Sequence, residues 1–450
     1  MTTEEGRAVG PWSRRLAPWQ AFCLQASVVV FFLAGASAPT PLYATYQREW
    51  HFSPITTTVI FGVYAVAVLL ALLIVGSLSD HVGRRPVIFG SIVVQAAAVV
   101  VFAGADGVPT LLCGRVLQGL ATGTVVGAVG AGMIDVNRSA GTLANAVAPA
   151  AGTAVGALGS GLLVTYAPQP THLVYYVLLV IYVLQAVGVL LMAETAARTP
   201  GALRSLRVSW TVPAQAHGPL VRAAAVVLAV WALAGFYGSL GPALVHRVVP
   251  GQGALLGGLA LFTLTACGAL TVLVLRNTAP GTTMQVGALA LIGGVAVTLV
   301  SVALGSAGLF FVGTAIAGVG FGAGFQGGVR TVVPLAEPHQ RSGLLSVMYL
   351  ISYLGFGLPT IVAGVIVVYS GVARAACEYG TAVMLLAALA FAGTLRRPTA
   401  RIPATPAAPA SSLGGPAVDV CADACRTGAA SGHPSSSHGS VLAHKGDEHR

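Results

Sequence analysis

The sequence contains very little charge. Only 8% of its 450 residues are Asp, Glu, Lys or Arg, whereas 56% are hydrophobic, and Lys445 is the single lysine. A soluble domain carries about a quarter charged residues, because it must cover its core with a hydrated surface. The composition therefore excludes an ordinary soluble globular protein, in which short apolar runs of period 2 or 3.6 alternate with charged stretches.

Signatures of catalytic chemistry are also scarce. The sequence has no phosphate-binding loop, no nucleophile elbow and no zinc-protease pair. Gly322-Ala-Gly324-Phe-Gln-Gly327 fits the dinucleotide fingerprint by letter, but it lies in an apolar run with no preceding strand. Cys421 and Cys425 stand near tail histidines at a spacing that matches no recognised zinc finger. We therefore expect no enzyme activity, no cofactor and no metal site.

What the sequence does contain is long apolar blocks. A helix that crosses about 30 Å of hydrocarbon needs about 20 mostly apolar residues. The first block is longer than the apolar core of a signal peptide and is expected to be retained. We predict an all-α membrane protein with twelve transmembrane helices, at 19–42, 55–79, 86–105, 109–132, 142–166, 171–192, 221–245, 253–275, 283–304, 307–332, 343–369 and 376–395.

The basic residues, which give a formal net charge of +10, lie in the short loops between these blocks. They do not cluster on one amphipathic face, so binding of nucleic acid is not expected. Cytoplasmic loops of membrane proteins are enriched in Lys and Arg. Both termini are therefore predicted to be cytoplasmic, in the cell inner membrane. Three arginines lie in the opposite loops, Arg48, Arg247 and Arg374, against fifteen on the cytoplasmic side: Arg7, Arg14, Arg15, Arg84, Arg85, Arg138, Arg198, Arg204, Arg207, Arg222, Arg276, Arg341, Arg396, Arg397 and Arg401.

The longest polar interruption between helices divides the spans into two sets of six. This organisation is typical of many secondary transporters. The halves also share a weak repeat, since Gly119, Gly123 and Gly127 have the same spacing as Gly320, Gly324 and Gly328. We predict two pseudo-symmetric six-helix bundles, 19–192 and 221–396, joined by a central cytoplasmic loop, 193–220, between a cytoplasmic N-terminal segment, 1–18, and a disordered cytoplasmic tail, 397–450.

One short loop carries a recognisable motif. Gly76-Ser-Leu-Ser-Asp80-His-Val-Gly83-Arg84-Arg85 follows the second apolar block. It resembles the signature loop of the major facilitator superfamily in both sequence and position, with histidine in place of the usual basic residue after the aspartate. The resemblance covers about residues 19–396 and implies a monomeric transporter.

The resemblance also implies roles for individual residues. Asp80 is expected to face the start of the eleventh span, near Gly343 to Ser346, and to latch the two bundles in the outward-facing state. Arg84 is expected to pair with Asp135. Alternatively, Arg84 is an anchor that only holds the loop in the cytoplasm. For Arg85 this anchoring role is the interpretation that we favour.

The fourth span contains Arg115-Val-Leu-Gln118-Gly119, which resembles a second element of the family. An arginine within a span is costly unless it faces a partner or a wet cavity. Arg115 is interpreted as binding an anionic group or controlling the protonation of an acid; the alternative is a side chain that reaches the membrane surface. Arg330 is a second candidate for anion contact, or another anchor.

In this family the substrate cavity lies between the bundles. The candidate lining residues are Gln25, Trp231, Tyr237, Gln326, Tyr349 and Tyr353. No carboxylate lies at mid-membrane, where a proton carrier is expected, so the coupling ion stays undetermined. We expect a small-molecule substrate, with proton-linked efflux first, uptake symport second, and a non-transporting receptor or a membrane-embedded enzyme as the other classes.

Overall fold

The computed structural model describes residues 16–76, 78–196, 199–202, 212–249, 254–337 and 340–395. Most of the predicted segment 1–18, the tail 397–450 and its cysteines lie outside these residues. The described residues form fourteen α-helices and three 3-10 turns. The helices are α1 Pro18–Ser37, α2 Tyr43–Trp50, α3 Pro54–Val75, α4 Leu78–Val82, α5 Arg84–Ala103, α6 Val108–Val136, α7 Arg138–Tyr166, α8 Leu173–Leu191, α9 His217–Ser239, α10 Gly241–Val248, α11 Ala254–Val274, α12 Pro280–Leu304, α13 Ala307–Val332 and α14 Arg341–Leu395.

Eleven of the described helices are long and apolar enough to cross a membrane. The last of them, Gly343–Leu395, has 53 residues. At 1.5 Å per residue it would be about 80 Å long, more than twice the hydrocarbon thickness. Gly371, at φ 79°, interrupts the helical backbone there, in a conformation that glycine adopts without strain. The helix is therefore two spans, and the predicted total of twelve is confirmed.

Helix boundaries follow prolines and caps. Pro18, Pro54 and Pro280 stand at the first turn of α1, α3 and α12, where a missing N–H costs nothing. Asn137 accepts a hydrogen bond from Ala140 N and so caps α7. The prediction that the first span extends to residue 42 is wrong, because the long helix ends at Ser37 and the prolines at 39 and 41 occupy the turn before α2.

Two clusters of buried apolar side chains fill the bundle. One gathers residues from α1 to α8, such as Phe32, Ile92 and Tyr182. The other gathers residues mainly from α9 to α14, such as Val230 and Leu291. Large apolar side chains such as Leu184 and Leu389 are about two-thirds exposed at the outer surface, as expected for helices in contact with lipid. The protein is thus an all-α membrane protein built from two six-helix halves.

The two halves repeat each other. Helices α9, α10, α11 and α13 each begin about 200 residues after α1, α2, α3 and α6, respectively, which is the pattern of an internal structural repeat. The short helices α2 and α10, which the sequence did not predict, belong to this repeat. We call the end of the bundle that carries Arg84, Arg138 and Arg276 the arginine-rich end. The end that carries Arg48 and Arg374 is the arginine-poor end.

The predicted alignment of glycines between the halves needs correction. Gly119 and Gly123 pack against the backbone of α3. The glycines of the second half that pack in the same way against α11 are Gly318 and Gly322. Gly320 faces α12 instead, where a Cβ would lie 2.6 Å from Leu291 N. The predicted match was out of register by two residues, because several glycine pairs in α13 have the same spacing and only the neighbouring helix distinguishes them.

Candidate functional site

Arg115 on α6 is a fully buried cation. Its Nε donates to the Tyr43 hydroxyl at 3.0 Å. Its Nη1 donates to Ala36 O at 2.8 Å and to Gln118 Oε1 at 2.6 Å. Gln118 Nε2 in turn donates to Gly35 O at 3.0 Å. The guanidinium therefore ties α6 to the end of α1 and the start of α2, and it is not exposed at the surface of the protein.

Among the residues that the structure describes, no ion pair includes Arg115, and the groups that surround its charge are neutral. Burial raises the pKa of the Tyr43 phenol, and the neighbouring guanidinium lowers it by less, so the hydroxyl stays neutral. The guanidinium carbon also lies 5.4 Å from the ring centre of Tyr64 and 5.7 Å from that of Phe102. Hydrogen bonds and aromatic faces, rather than a carboxylate, compensate the buried charge.

The motif loop is held together by Arg84, at the arginine-rich end. Its Nη1 donates to Asp80 Oδ1 and, at 2.8 Å, to Ser79 Oγ. Its Nε lies 3.4 Å from Asp135 Oδ2, the pairing predicted from the sequence. The Asp80 side chain is 56% exposed, and its described partner belongs to the same loop rather than to the start of α14.

Glu194 completes this loop, and its role was not predicted from the sequence. Its Oε1 accepts from Arg84 N at 2.8 Å and its Oε2 accepts from Arg85 N at 3.1 Å. The carboxylate thus caps the start of α5, where free N–H groups and the helix dipole favour an anion. Gly83, at φ 107°, brings the loop so close that a Cβ would lie 2.6 Å from Glu194 Oε2. An acid just after the sixth apolar block was visible in the sequence, but not the helix that it caps.

The other predicted loop and helix residues have structural contacts. Gly76 lies against α6, since a Cβ on Gly127 would be 3.2 Å from Gly76 O. Arg85 Nη2 donates to Leu190 O. Arg330 Nη1 donates to Leu275 O, at 3.3 Å, where α11 ends and its carbonyls favour a cation.

A cavity of about 140 Å³ lies between the two halves. Its wall follows α7 from Thr153 to Asn145 and α11 from Leu261 to Val272, towards the arginine-rich end. Aromatic rings from both halves make up much of the wall: Phe61, Tyr64, Trp231, Phe321, Tyr353 and Phe356. A site of this kind can bind a small, largely apolar molecule and fix its orientation with a few polar groups.

Two of the six predicted cavity residues, Trp231 and Tyr353, line this cavity, with their ring centres 5.3 Å apart. The other four are not among the described lining residues, and their assignment to a substrate cavity stays a prediction. Gln25 is fully buried beside Gly132. Tyr237 shares a hydrogen bond with Thr314 at 2.9 Å, Gln326 donates to Val272 O at 3.1 Å, and Tyr349 lies one helical turn before Tyr353 on α14.

Most of the aromatic wall was not predicted from the sequence. Phe321 and Phe325 lie one turn apart on α13, and Trp231 contacts the second of them edge-on at 5.6 Å. Such a pair on an apolar helix is indistinguishable in sequence from ordinary packing or from contact with lipid. Phe61 was overlooked for the same reason, although its ring lies 4.7 Å from that of Phe356 across the two halves.

At the arginine-poor end the two halves meet through close contacts of glycine residues. A Cβ on Gly258 of α11 would overlap the carbonyl oxygen of Ala157 on α7. A Cβ on Gly364 of α14 would likewise overlap the Thr58 hydroxyl of α3. Residues without side chains allow membrane helices to approach this closely. The cavity is therefore closed at the arginine-poor end by two helix pairs, each with one member from each half.

The fold is similar to solved structures of transporters. A mutant of the nucleoside transporter NupG matches with a TM-score of 0.65 at 14% identity, over 83% of this chain and 99% of that chain. A bacterial homologue of the human lysosomal transporter Spinster, in an inward-facing and occupied conformation, matches with a TM-score of 0.65 at 13% identity, over 83% and 96%. At these identities the similarity concerns the fold alone. No curated protein matches the sequence.

The sequence also matches the family model described as Major Facilitator Superfamily, over residues 26–304, which is more than half of the chain. This match is independent of the structural similarity and agrees with the motif loop at Asp80, the twelve spans and the repeat of the two halves. The protein therefore belongs to the major facilitator superfamily of membrane transporters.

Proposed function

We propose that this protein is a secondary active transporter that moves a small organic solute across the cell inner membrane by alternating access. The observation that carries the proposal is a central cavity whose wall is shared by both halves and which is closed at one end by contacts between them. Rocking the halves about the cavity would break these contacts and expose the cavity at the other face. A transport function also suits the family better than an enzymatic one.

We propose that the arginine-rich end faces the cytoplasm, because basic residues are retained on that side of a membrane. Residues 19–192 and 221–396 would then be the moving units of a monomer, with 193–220 as the cytoplasmic connection. In this orientation, closure at the arginine-poor end supports an inward-facing form. The Spinster homologue that it resembles was likewise described as inward-facing.

We propose proton-linked export as the first candidate for the direction and coupling of transport. The fifth span, α7, supports it in part, since Gly152 and Gly156 pack directly on α1 in a glycine-rich stretch that resembles an element of family exporters. That element has proline where this chain has Ala157, and the missing proline weakens the resemblance to an exporter. The second candidate is transport driven by the solute gradient alone. It is favoured by the described wall of the cavity, which offers no carboxylate to carry a proton.

Flux into inverted membrane vesicles that contain the protein tests these proposals. Labelled drugs, sugars and organic acids are offered with and without an acidic lumen, and empty-vector vesicles serve as the control. Uptake that requires the acidic lumen is the result expected for proton-linked export. Uptake that is indifferent to the pH gradient would favour the second candidate. Folded protein that moves none of the solutes would contradict transport and favour the receptor.

We propose that Asp80 acts as a latch in the outward-facing state. In the present form its carboxylate binds Arg84 of its own loop and is half exposed. A carboxylate with spare exposed surface can take a second partner when the halves approach, and the helix dipole at the start of α14 favours an anion. The alternative is that Asp80 only stabilises the loop.

Replacing Asp80 with asparagine, Asp80→Asn, is expected to lower the transport rate about tenfold. This corresponds to a loss of about 1.4 kcal/mol of stabilisation from the outward-facing conformation. Folding and membrane insertion should be unchanged, because half-exposed ion pairs contribute at most about 1 kcal/mol. The rate is measured in vesicles with equal amounts of inserted protein. Asp106→Asn is the matched control, since Asp106 is also hydrogen-bonded and lies near the arginine-poor end. Wild-type flux from Asp80→Asn would contradict the latch.

A further inference from the structure

The chemistry of the cavity wall narrows the class of substrate, and this inference rests on the proposed transport function. We propose that the cavity selects uncharged, planar aromatic solutes that carry a hydrogen-bond acceptor, and that it rejects cations and anions of the same shape. Three observations support the proposal: the neutral wall, the buried cation behind it, and buried polar atoms of wall residues that have no partner among the described residues.

Every lining residue that the structure describes is uncharged. The polar contribution comes from hydroxyls and one amide, such as Thr40, Thr153, Thr265 and Asn145. A charged solute would lose its hydration in such a cavity and meet no opposite charge to replace it. A neutral aromatic solute instead gains from burial of its rings against those of the wall.

The rings of the wall could attract a cation, but Arg115 opposes it. Its guanidinium lies over the Tyr64 ring, 5.4 Å from the ring centre, so this ring already faces a cation. Its positive charge has no carboxylate partner among the described residues, and it repels a second cation. The attraction of the remaining rings for a cation is weaker than the cost of removing that cation from water.

An anion is disfavoured for a different reason. Arg115 is not among the described lining residues, and three neutral oxygen atoms, on Tyr43, Ala36 and Gln118, accept its hydrogen bonds. An anion in the cavity would therefore be dehydrated without gaining a direct hydrogen bond from the guanidinium. The potential of Arg115 favours electron-rich neutral groups such as a carbonyl oxygen or a ring nitrogen.

Two buried polar atoms that belong to wall residues point to such an acceptor. The indole Nε1 of Trp231 and the hydroxyl of Thr40 are buried and have no hydrogen-bond partner among the described residues. Both residues line the cavity. An indole N–H can only donate, so the group that satisfies it must be an acceptor. A cavity of about 140 Å³ is comparable to one that holds a single aromatic ring.

Two sets of matched probes test the proposal. The first set consists of benzamide, benzoate and phenyltrimethylammonium. The second set consists of 2-naphthamide, 2-naphthoate and 2-naphthyltrimethylammonium. Binding of each labelled probe to the purified full-length protein in lipid nanodiscs is measured by equilibrium dialysis. We expect the amide of at least one set to bind at least about tenfold more tightly than both charged members. Equal or tighter binding of a charged member, or no binding by any probe, overturns the proposal.

The variant Trp231→Phe keeps one aromatic ring in place and removes the five-membered ring that carries the N–H. It is expected to weaken binding of the amide about five- to tenfold, because the acceptor loses its donor. Trp19→Phe is the matched control, since Trp19 is 64% exposed and stacks on Phe22 away from the cavity. Unchanged affinity in Trp231→Phe, with a wild-type melting temperature, removes Trp231 as the donor.

Exchange of the same probes across proteoliposomes separates this inference from the proposed function. An amide that binds but does not exchange contradicts transport and leaves the binding class in place. Exchange of a carboxylate or a trimethylammonium probe, with no binding of the amides, contradicts the substrate class and leaves transport in place.

Discussion

Replacing Arg115 with alanine is expected to lower the free energy of unfolding by about 3–5 kcal/mol. The change leaves a cavity in a fully buried site and removes donors from Tyr43 OH, Ala36 O and Gln118 Oε1. Relief of a buried charge offsets part of the loss. The lost volume and the unpaired acceptors outweigh it, because the guanidinium is already well hydrogen-bonded. Thermal melting of the purified protein, followed by fluorescence and gel filtration, measures the effect.

The matched control is Arg374→Ala. Arg374 bonds Glu378 at 3.0 Å, but its side chain is 72% exposed. A surface pair of this kind contributes at most about 1 kcal/mol, so the melting curve should stay near that of the wild type. The variant Arg115→Lys is expected to fall between the two, because one ammonium cannot reproduce the fork that reaches α1 and α2 together. Wild-type melting of Arg115→Ala would show that Arg115 does not hold these helices.

Replacing Gly258 with alanine is expected to abolish most transport. The new Cβ would overlap the carbonyl oxygen of Ala157, and a backbone atom cannot rotate away. Overpacking of this kind costs about 1–3 kcal/mol. The cost applies only to the form in which α7 and α11 touch, so the population of that form should fall about 5- to 150-fold relative to the other. Transport needs both forms, and its rate should fall accordingly.

The shift can be measured by labelling a cysteine at Thr40, which lines the cavity, in a background without other cysteines. Gly258→Ala should increase labelling from the arginine-poor side. Gly159→Ala is the matched control, because Gly159 lies on α7 near the same contact and its Cβ would meet nothing within 4 Å. If Gly258→Ala and Gly159→Ala transport and label alike, the α7–α11 contact does not close the cavity.

The contacts of the motif loop could be predicted from the sequence only in part. The pairing of Arg84 with Asp135 was expected from the family resemblance and is present at 3.4 Å. Glu194, which caps the same loop, lies 110 residues from Arg84 along the chain and was not found. A cap of this kind depends on where the end of α8 lies relative to α5. No local pattern encodes that position.

The cavity shows the same limit. Trp231 and Gln25 were both proposed as lining residues because each is a polar or aromatic residue on a helix near the centre of the fold. The structure places Trp231 on the wall and Gln25 in the interior of the first half. Which face of a membrane helix meets the cavity is set by its rotation. In an apolar helix surrounded by apolar helices and lipid, the sequence carries little signal for that rotation.

The sequence by itself determined the class of the protein, the number of its spans and the family, because these depend on local properties. A run of about 20 apolar residues must cross the bilayer wherever it occurs, and the motif around Asp80 is contiguous. The tertiary structure decided which side chains form the cavity, how Arg115 is compensated and which glycines join the halves. These features depend on contacts between helices that are far apart in the chain, and such contacts exist only once the helices have packed.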